Sequence, residues 1–395
     1  MKKVILSVAV LFMGATVFAQ NNHSDVLQQG NGNSSTVSQT GNDNDSNVDQ
    51  IGNGNDSAVT QDGSANDSDV YQIGNDNDSS VSQSGVTNQS LVEQNGNGNL
   101  SDVSQNGTSN KYRTTQDGDG NDSYVDQIGT GNSGGMGALF WGTSQIGDGN
   151  SSNTTQIGDY NDAGTRQQGD FNNAVIYQFG DANNANGTWW GIYQIGDLND
   201  ATIEQFGDLN HAHTRQIGDE NQYLTTQNGV DNWAETYQVG NRNSGGGNPY
   251  VWGTQQIGND NWALVNQTGD DNNAGIRQSG DDNTAEIEQV GNNNMANSSL
   301  WGIRQQGNNN NGFIGQYGND NYAHTDQLGD LNISTIDQNG NSNNATTYQS
   351  GDLHWSDVNQ NGNLNSSTVS QSGNNHWSLV NQNGNGNNST VTQNN

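Results

Sequence analysis

Residues 50–61 read Gln-Ile-Gly-Asn-Gly-Asn-Asp-Ser-Ala-Val-Thr-Gln, and this stretch decides the fold because the chain repeats its pattern from end to end. The motif Gln-x-Gly recurs every eleven residues, with four interruptions, from Gln28 to Gln393 in thirty-two units. Asparagine precedes most of these glutamines by six residues, so the unit is Asn-x-(Ser/Ala)-x-(Val/Ile/Thr)-x-Gln-x-Gly-x-x. A fixed short period indicates stacked copies of one small structural unit.

The composition by itself is typical of a disordered chain. Only 28% of the residues are hydrophobic, 54 are glycine, and the formal net charge is −33. A repeat that keeps its register over most of the 395 residues excludes that interpretation. Cysteine is absent, so disulfide frameworks and thiol chemistry are excluded. Pro249 is the only proline, which suits a chain of strands because proline cannot donate to a β-ladder.

The amino terminus has the pattern of a secretory signal peptide. Two lysines precede an apolar run over residues 4–18, and residues 17–19, Val-Phe-Ala, provide a cleavage site. The run is too short to span a membrane. We therefore predict that residues 1–19 are a signal peptide and that residues 20–395 form a secreted repeat domain. The strong negative charge predicts that this domain binds no nucleic acid and does not insert into a membrane.

Within a unit, the side chains alternate as they do in a β-strand. Asn33, Ser35, Val37 and Gln39 share one face, and the residues between them share the other. Gly41 and its neighbours form a turn, because glycine, asparagine and aspartate tolerate positive φ. Two units complete one rung, so we expect an all-β solenoid of about sixteen two-strand rungs. With amyloid-like cross-β stacking at about 4.8 Å, the solenoid would be roughly 75 Å long.

The inner asparagines and glutamines are expected to form ladders along the stack. Buried amides are costly unless they are paired, and the equivalent amide one rung away can pair each of them. The ladders are predicted to include Asn22, Gln28, Asn33, Gln39, Asn44, Gln50, Asn55, Gln61, Asn199, Gln205, Asn387 and Gln393. The turns are predicted to include Gly30, Gly41, Gly52, Gly63 and Gly74.

The eleven-residue period lengthens four times, by seven, five, seven and five residues, and each insertion ends in Trp-Gly. We place each insertion between the turn glycine and the next strand. The first two precede odd-numbered units and the last two even-numbered units, so they should emerge from opposite edges. The favoured role of the tryptophan is to plug the interrupted strand, and the alternative is binding of carbohydrate or a second filament. The insertions lie near residues 132–141, 183–190, 243–252 and 294–301.

No set of residues predicts catalysis, so we predict that the chain is not an enzyme and needs no cofactor. His354 and His376 replace the ladder asparagine 22 residues apart and should stack, with the tryptophans that follow them stacked outside. A metal site there is the alternative to simple replacement of one planar polar residue by another. An aspartate column could similarly bind Ca²⁺ or simply favour turns. That column comprises Asp148, Asp170, Asp197 and Asp219.

The repeated unit, as it stands in residues 50–61, resembles the curlin repeat of bacterial curli subunits, with an expanded number of repeats. The resemblance covers essentially the whole chain after the signal peptide. It implies a secreted functional amyloid whose fibres at the cell surface build biofilm matrix and mediate adhesion. It also implies a nucleator subunit and an outer-membrane curli secretion pore with chaperone factors as partners, besides further copies of the chain.

The two terminal units bear on assembly independently of this resemblance. The first unit begins at Asn22, the last ends at Gln393, and both match the repeat consensus. Monomeric solenoids usually close their ends with irregular caps, and open strand edges recruit further chains. We therefore predict head-to-tail polymerisation. The alternative is a monomeric secreted solenoid that acts as an adhesin or binds ice, although its mixed outward residues disfavour ice binding.

Overall fold

The chain folds into two parallel β-sheets that face each other across one narrow core. A computed structural model describes residues 21–135, 142–185, 190–245, 253–297 and 301–395. The strand pairings within these residues are parallel, and none of the described residues is helical. Successive units alternate between the sheets, so two units complete one of about sixteen turns. The predicted all-β solenoid is confirmed.

The strands divide equally between two sheets, which we call sheet one and sheet two. Sheet one contains β1 (His23–Asn31), β3 (Asp45–Asn53), β5 (Asp67–Asn75), β7 (Gln89–Asn97), β9 (Lys111–Asp117), β11 (Thr143–Ile146), β13 (Asp162–Ala163), β14 (Thr165–Gln168), β16 (Asn184–Ala185), β17 (Ile192–Ile195), β19 (His211–Ile217), β21 (Trp233–Val239), β23 (Trp262–Thr268), β26 (Thr284–Val290), β29 (Asn311–Tyr317), β31 (Ile333–Asn339), β33 (Trp355–Asn361) and β35 (Trp377–Asn383). Sheet two contains β2 (Ser34–Asn42), β4 (Asp56–Ser64), β6 (Asp78–Val86), β8 (Leu100–Thr108), β10 (Asp122–Thr130), β12 (Ser151–Ile157), β15 (Asn173–Phe179), β18 (Asp200–Phe206), β20 (Gln222–Asn228), β22 (Thr254–Ile257), β24 (Asn273–Ala274), β25 (Ile276–Ser279), β27 (Met295–Ala296), β28 (Ile303–Gln306), β30 (Tyr322–Leu328), β32 (Asn344–Asp352), β34 (Ser366–Asn374) and β36 (Asn388–Asn394).

Like residues face like residues across neighbouring strands. β3 and β5 pair Val48 with Val70 and Gln50 with Gln72, at a separation of 22 residues. Because strand side chains alternate, this register keeps the same residues on the inner face of every rung. Val48 of sheet one and Val59 of sheet two belong to one buried cluster, so the core is a file of small apolar side chains between the sheets.

The turns explain why glycine recurs after each glutamine. Gly63 has a φ of 136°, and a Cβ atom at this position would collide with the carbonyl oxygen of Gly85 one rung away. Any other residue would therefore be both strained and overcrowded. From Asn33 onward, the residue just before each ladder asparagine also lies in the left-handed region, as Asp43 does with a φ of 57°.

The insertions lie within strands, which corrects the prediction that they precede them. The backbone N–H of Asn132 donates to Oδ1 of Asn110 at 3.1 Å, and Ser133 forms a parallel bridge with Lys111. This unit has therefore joined sheet one before the chain leaves it, and its strand resumes at Thr143 in β11. The ladder asparagine opens each unit, so it is held by its neighbours before the extra residues begin.

The insertions interrupt strands of different sheets, and the inserted residues whose edge was predicted lie largely outside the described residues. The first two split strands of sheet one, because Ser133 lies beside β9 and because β16 and β17 are parts of one interrupted strand. The last two split strands of sheet two, where Ser244 lies beside Gln222 and where β27 and β28 are again parts of one strand. The predicted grouping of the first two insertions apart from the last two is therefore correct, and the two groups belong to different sheets.

The same order of insertions occurs twice along the chain, and we call the two occurrences the first and the second copy. Residues with the same place in the fold recur 111 residues apart, so each insertion of seven is followed by a strand with a central glycine and then by an insertion of five. The repeated stretch contains nine units, and an odd number of units transfers the second copy to the other sheet. The matched pairs are Tyr112 and Tyr223, Gly164 and Gly275, Arg166 and Arg277, His213 and His324, and Tyr237 and Tyr348.

Candidate functional site

The glutamine ladder runs along both sheets in one direction. Nε2 of Gln50 donates to Oε1 of Gln72 at 2.8 Å and to the backbone carbonyl of Ser34 at 2.8 Å. Gln205 does the same in the middle of the chain, where it donates to Gln227 at 2.9 Å. Each amide therefore donates towards the carboxyl-terminal end of the solenoid and accepts from the opposite side. Paired in this way, the buried amides satisfy one another.

The asparagine ladder runs in the opposite direction. The backbone N–H and Nδ2 of Asn66 both donate to Oδ1 of Asn44, each at 3.1 Å. Nδ2 of Asn66 also donates to the carbonyl oxygen of Gly85 at 3.1 Å, which ties the ladder to the turn. Asn199 makes the same contacts with Asn172. Each asparagine thus donates towards the amino-terminal end and accepts from the other side.

The structure separates the predicted ladder residues into interior and end positions. The interior set is buried and has ladder partners on both sides, namely Asn44, Gln50, Asn55, Gln61, Asn199 and Gln205. The end set has a partner on one side only and is exposed or half-buried, namely Asn22, Gln28, Asn33, Gln39, Asn387 and Gln393. The predicted turn glycines all have positive φ, namely Gly30, Gly41, Gly52, Gly63 and Gly74.

The aspartate column acts as a third ladder at the turns. The backbone N–H of Asp148 donates to Oδ1 of Asp170 at 2.8 Å, and Asp170 donates in the same way to Asp197 at 2.8 Å. Asp197 continues to Asp219, which donates to Oδ1 of Asn241 at 2.8 Å. Because asparagine takes the same place as aspartate, the position requires a short side chain with an acceptor oxygen. This geometry favours the turn-forming interpretation of the column.

The predicted histidine stack is confirmed. The rings of His354 and His376 lie 5.2 Å apart with an angle of 3° between them, and those of Trp355 and Trp377 lie 4.9 Å apart. The backbone N–H of His376 donates to Nδ1 of His354 at 3.3 Å, so histidine continues the asparagine ladder. Among the described residues, no three histidine, aspartate or glutamate side chains are grouped closely enough to hold a metal ion.

A buried tyrosine, which was not expected from the sequence, packs beside each of the two strands that are interrupted by seven extra residues. Tyr112 is fully buried, and its hydroxyl lies 3.0 Å from Oγ1 of both Thr143 and Thr154. A side chain on Gly142 would collide with this ring. Tyr223 has the same contact with Thr254, at 2.9 Å, in the second copy. The sequence signal that could have found them is a tyrosine in place of the inner serine or alanine, one rung before an insertion.

The tryptophans of the insertions do not occupy the inner position wherever they are described. In the interrupted strands of five extra residues, that position is held by Ala185 and Ala296, which are fully buried. Trp301 is also buried and its carbonyl oxygen lies 3.1 Å from Nδ1 of His324. Trp141 and Trp252, which end the two insertions of seven residues, lie outside the described residues.

Outward carboxylates stack on one another in the first rungs of the solenoid. Burial, and then the charge of Asp45, raise the pKa of Asp67 above its ordinary value. Burial, followed by the charges of Asp56 and Asp102, raises the pKa of Asp78. Both causes disfavour the ionised form. Burial is the larger of the two causes for both carboxyl groups.

The described residues contain no helix that is both long and apolar enough to cross a lipid bilayer. The architecture described above consists of short polar units that are stabilised by contacts with the rungs on either side. Within those residues the recurring features are the amide ladders and the narrow core.

Comparison with known proteins agrees with this architecture. The family description "Curlin associated repeat" matches eight segments, which together cover more than half of the chain. The matched segments are residues 19–52, 52–85, 74–107, 254–280, 269–299, 318–346, 340–373 and 365–394. A search of curated protein sequences returns no match. The unmatched middle continues the same ladders through Asn199 and Gln205. The chain belongs to the curlin-repeat family.

Proposed function

We propose that this chain is the structural subunit of an extracellular curli-type amyloid fibre, and that it polymerises head to tail to build biofilm matrix and to mediate adhesion. The chain is secreted through removal of residues 1–19 and works outside the cell. It acts without a cofactor and is not an enzyme. Its partners are further copies of itself, a nucleator subunit, and an outer-membrane secretion pore with chaperone factors.

The observation that carries the proposal is the complementarity of the two end rungs. The first rung exposes the Oε1 acceptors of Gln28 and Gln39, because each of these glutamines makes its ladder bond as a donor to the next rung, to Gln50 and Gln61, and neither accepts a ladder bond in return. The last rung exposes Nε2 of Gln382 and Gln393, each of which donates only to a backbone carbonyl. A second copy stacked in the same orientation therefore completes the glutamine ladder in both sheets.

The asparagine ladder donates in the opposite direction, but it also requires two copies to stack head to tail. At the last rung, Oδ1 of Asn387 accepts no hydrogen bond, whereas Oδ1 of Asn365 one rung earlier accepts from Asn387. At the first rung, the backbone N–H groups of Asn22 and Asn33 face outward in the direction in which this ladder donates. Stacking two copies by the same end would place acceptor against acceptor or donor against donor, which is costly.

The inner faces of the end rungs also match each other. The terminal strands β1, β2, β35 and β36 all carry serine, valine and glutamine inward, although the middle of the chain uses other residues. A second copy would therefore continue the same core at the same spacing. The open edges of such strands favour pairing with a further chain.

The decisive experiment is assembly of purified residues 20–395 in buffer without cofactor. We expect unbranched fibres by electron microscopy and a cross-β reflection near 4.8 Å by fibre diffraction. A protein that stays monomeric by light scattering for days at high concentration contradicts the proposal and favours a monomeric secreted binding protein.

A further inference from the structure

The end rungs depart from the repeat at one corner of sheet one. Their inner residues are alike, but the ladder residue of the last strand is His376 where the first strand has Asn22. The outward position that follows is Trp377 in the last rung and His23 in the first. If a second copy stacks in register, His23 falls directly above Trp377. At this corner, the contact between two stacked copies would involve residues that differ from the repeat consensus.

Trp377 presents one face of its indole ring to the end of the solenoid. The other face stacks on Trp355, with ring centres 4.9 Å apart and an angle of 5° between the planes. The residue is 60% exposed, whereas the interior tryptophans at this position are half-buried. An aromatic column that ends in an open face offers a place for one more flat ring.

The same sheet already stacks histidine on tryptophan at this position. His211 and Trp233 are direct strand partners in β19 and β21, and their rings lie 6.0 Å apart at an angle of 12°. The geometry that places His23 on Trp377 is therefore one that neighbouring rungs accommodate. His23 itself is free to meet a ring from the other side, since its side chain is 66% exposed.

The ladder atoms beside these rings are arranged for the same contact. Nε2 of His376 is 3.0 Å from the carbonyl oxygen of Ser372, which leaves Nδ1 as the acceptor on the open side. One rung earlier, Nδ1 of His354 accepts the backbone N–H of His376. The backbone N–H of Asn22 in a second copy would take the equivalent place.

We propose that successive subunits are joined by an aromatic clasp in which His23 of one copy stacks on Trp377 of the copy before it, while Asn22 donates its backbone N–H to Nδ1 of His376. The clasp rests on the proposed function, because it needs a second copy of the chain at the end rung. A hydrogen bond with Asp45, at 3.0 Å, raises the pKa of His23. The imidazolium that this favours is attracted to an indole face.

The test compares assembly of the full mature chain with that of the variants Trp377→Ala, His23→Ala and the double variant. Each single change is expected to raise the critical concentration for growth from wild-type seeds about five- to tenfold, as loss of an aromatic pair does. The double variant should raise the critical concentration no further than the more damaging single change does, because both changes remove the same contact. Trp377→Phe should restore most of the growth.

The matched control is Trp233→Ala, which removes a histidine–tryptophan pair inside the chain and should change the critical concentration less than twofold. Additive losses in the double variant, or growth that neither single change affects, would overturn the clasp while the fibres themselves stand. Failure of the wild-type chain to form fibres would instead overturn the proposed function. Circular dichroism of the dilute variants verifies that each still folds.

Discussion

The ends of the solenoid and its middle have the same ladders but different inner residues between them. In β4, near one end, the two small inner positions are Ser57 and Val59, and both are buried. In β18, in the middle, they are Ala201 and Ile203. Serine and valine return in β34 near the other end. The ends therefore resemble each other more than either resembles the middle.

This difference has an energetic cost at the ends. The hydroxyl of Ser57 is buried without a hydrogen-bond partner, and an unpaired buried hydroxyl costs roughly 1–3 kcal/mol. Isoleucine in place of valine adds about 0.8 kcal/mol of burial for its extra methylene. The middle also carries unpaired hydroxyls, on Thr165, Thr214 and Thr236. The same condition applies at the ends to Ser35, Ser46, Ser68, Ser79, Ser90, Ser101, Ser367 and Ser378.

The amide ladders and the two small inner residues of each unit therefore have separate roles. The amide ladders set the spacing and register of every rung, whatever lies between them. The small inner pair sets how strongly each rung is held. A weaker inner pair at both ends still serves assembly, because matched end rungs can continue into one another.

The largest effect is expected where the middle depends on a tyrosine plug. Tyr223→Ala should destabilise the chain by about 3–5 kcal/mol, because it leaves a cavity beside a split strand. Urea unfolding of the dilute monomer measures this. Tyr223→Phe is the matched control, since it keeps the ring and loses the contact with Thr254, for about 1 kcal/mol. A loss below 1 kcal/mol for the alanine variant would mean that the ring fills no gap.

The second largest effect is the loss of stability on replacing a ladder glutamine, and it should be equal in the middle and near the ends. Gln205→Leu in the middle and Gln61→Leu near the end each leave neighbouring amide groups unpaired, at roughly 1–3 kcal/mol for each group. Hydrogen exchange of the adjacent rungs should show the same loss of protection for both variants. Outward Ser82→Ala is the control and should change stability by less than about 0.5 kcal/mol. A loss of protection in only one of the two variants would show that the glutamine ladder does not stabilise both regions equally.

A smaller, opposite pair of effects tests the inner positions directly. Ser57→Ala should stabilise its rung by about 1 kcal/mol because it removes an unpaired hydroxyl, and Ala201→Ser should destabilise its rung by a similar amount. Protection of the local amides against hydrogen exchange is the readout. If both substitutions change stability in the same direction, residue size rather than the hydroxyl decides stability at this position.

The smallest effect is a regional response to acid. The raised pKa values of Asp67, Asp69 and Asp78 mean that the folded first rungs take up protons more readily than the unfolded chain. Their stability should therefore fall as pH rises through the folded pKa values, and it should be highest below the unfolded ones. Acidification from pH 7 towards 4 should accordingly protect these rungs and shorten the lag of fibre formation.

The middle should respond to acid in the opposite sense. Burial lowers the pKa of His213 to about 4 and also lowers that of His324. The stability that comes from keeping these rings neutral is lost as pH falls from the ordinary value of 6.5 towards the folded one. Hydrogen exchange at pH 7 and pH 4, corrected for intrinsic rates, separates the two regions. If the lag of fibre formation lengthens steadily on acidification, repulsion between carboxylates is not what slows assembly at pH 7.

The face of each strand, the position of each turn and the register of the stack could be predicted from the sequence alone. Alternation of small and polar residues assigned the inner face, and the glycine at each turn marked the unit boundary, because a strand and its turn are local structures. The likeness of residues 22 positions apart predicted the stacking of His354 on His376. These features required no knowledge of distant contacts, since every rung is a copy of its neighbour.

Only the tertiary structure decided what depends on contacts between rungs. The opposite directions of the two ladders go with different backbone acceptors, which spacing does not reveal: Asn66 also donates to the turn carbonyl of Gly85, whereas Gln50 also donates to the carbonyl of Ser34 at the start of a strand. The interruption of the strand after Ser133 and the packing of Tyr112 beside it depend on such contacts as well. In each case a side chain from one rung completes the packing of another, and the residues of a single unit cannot report that.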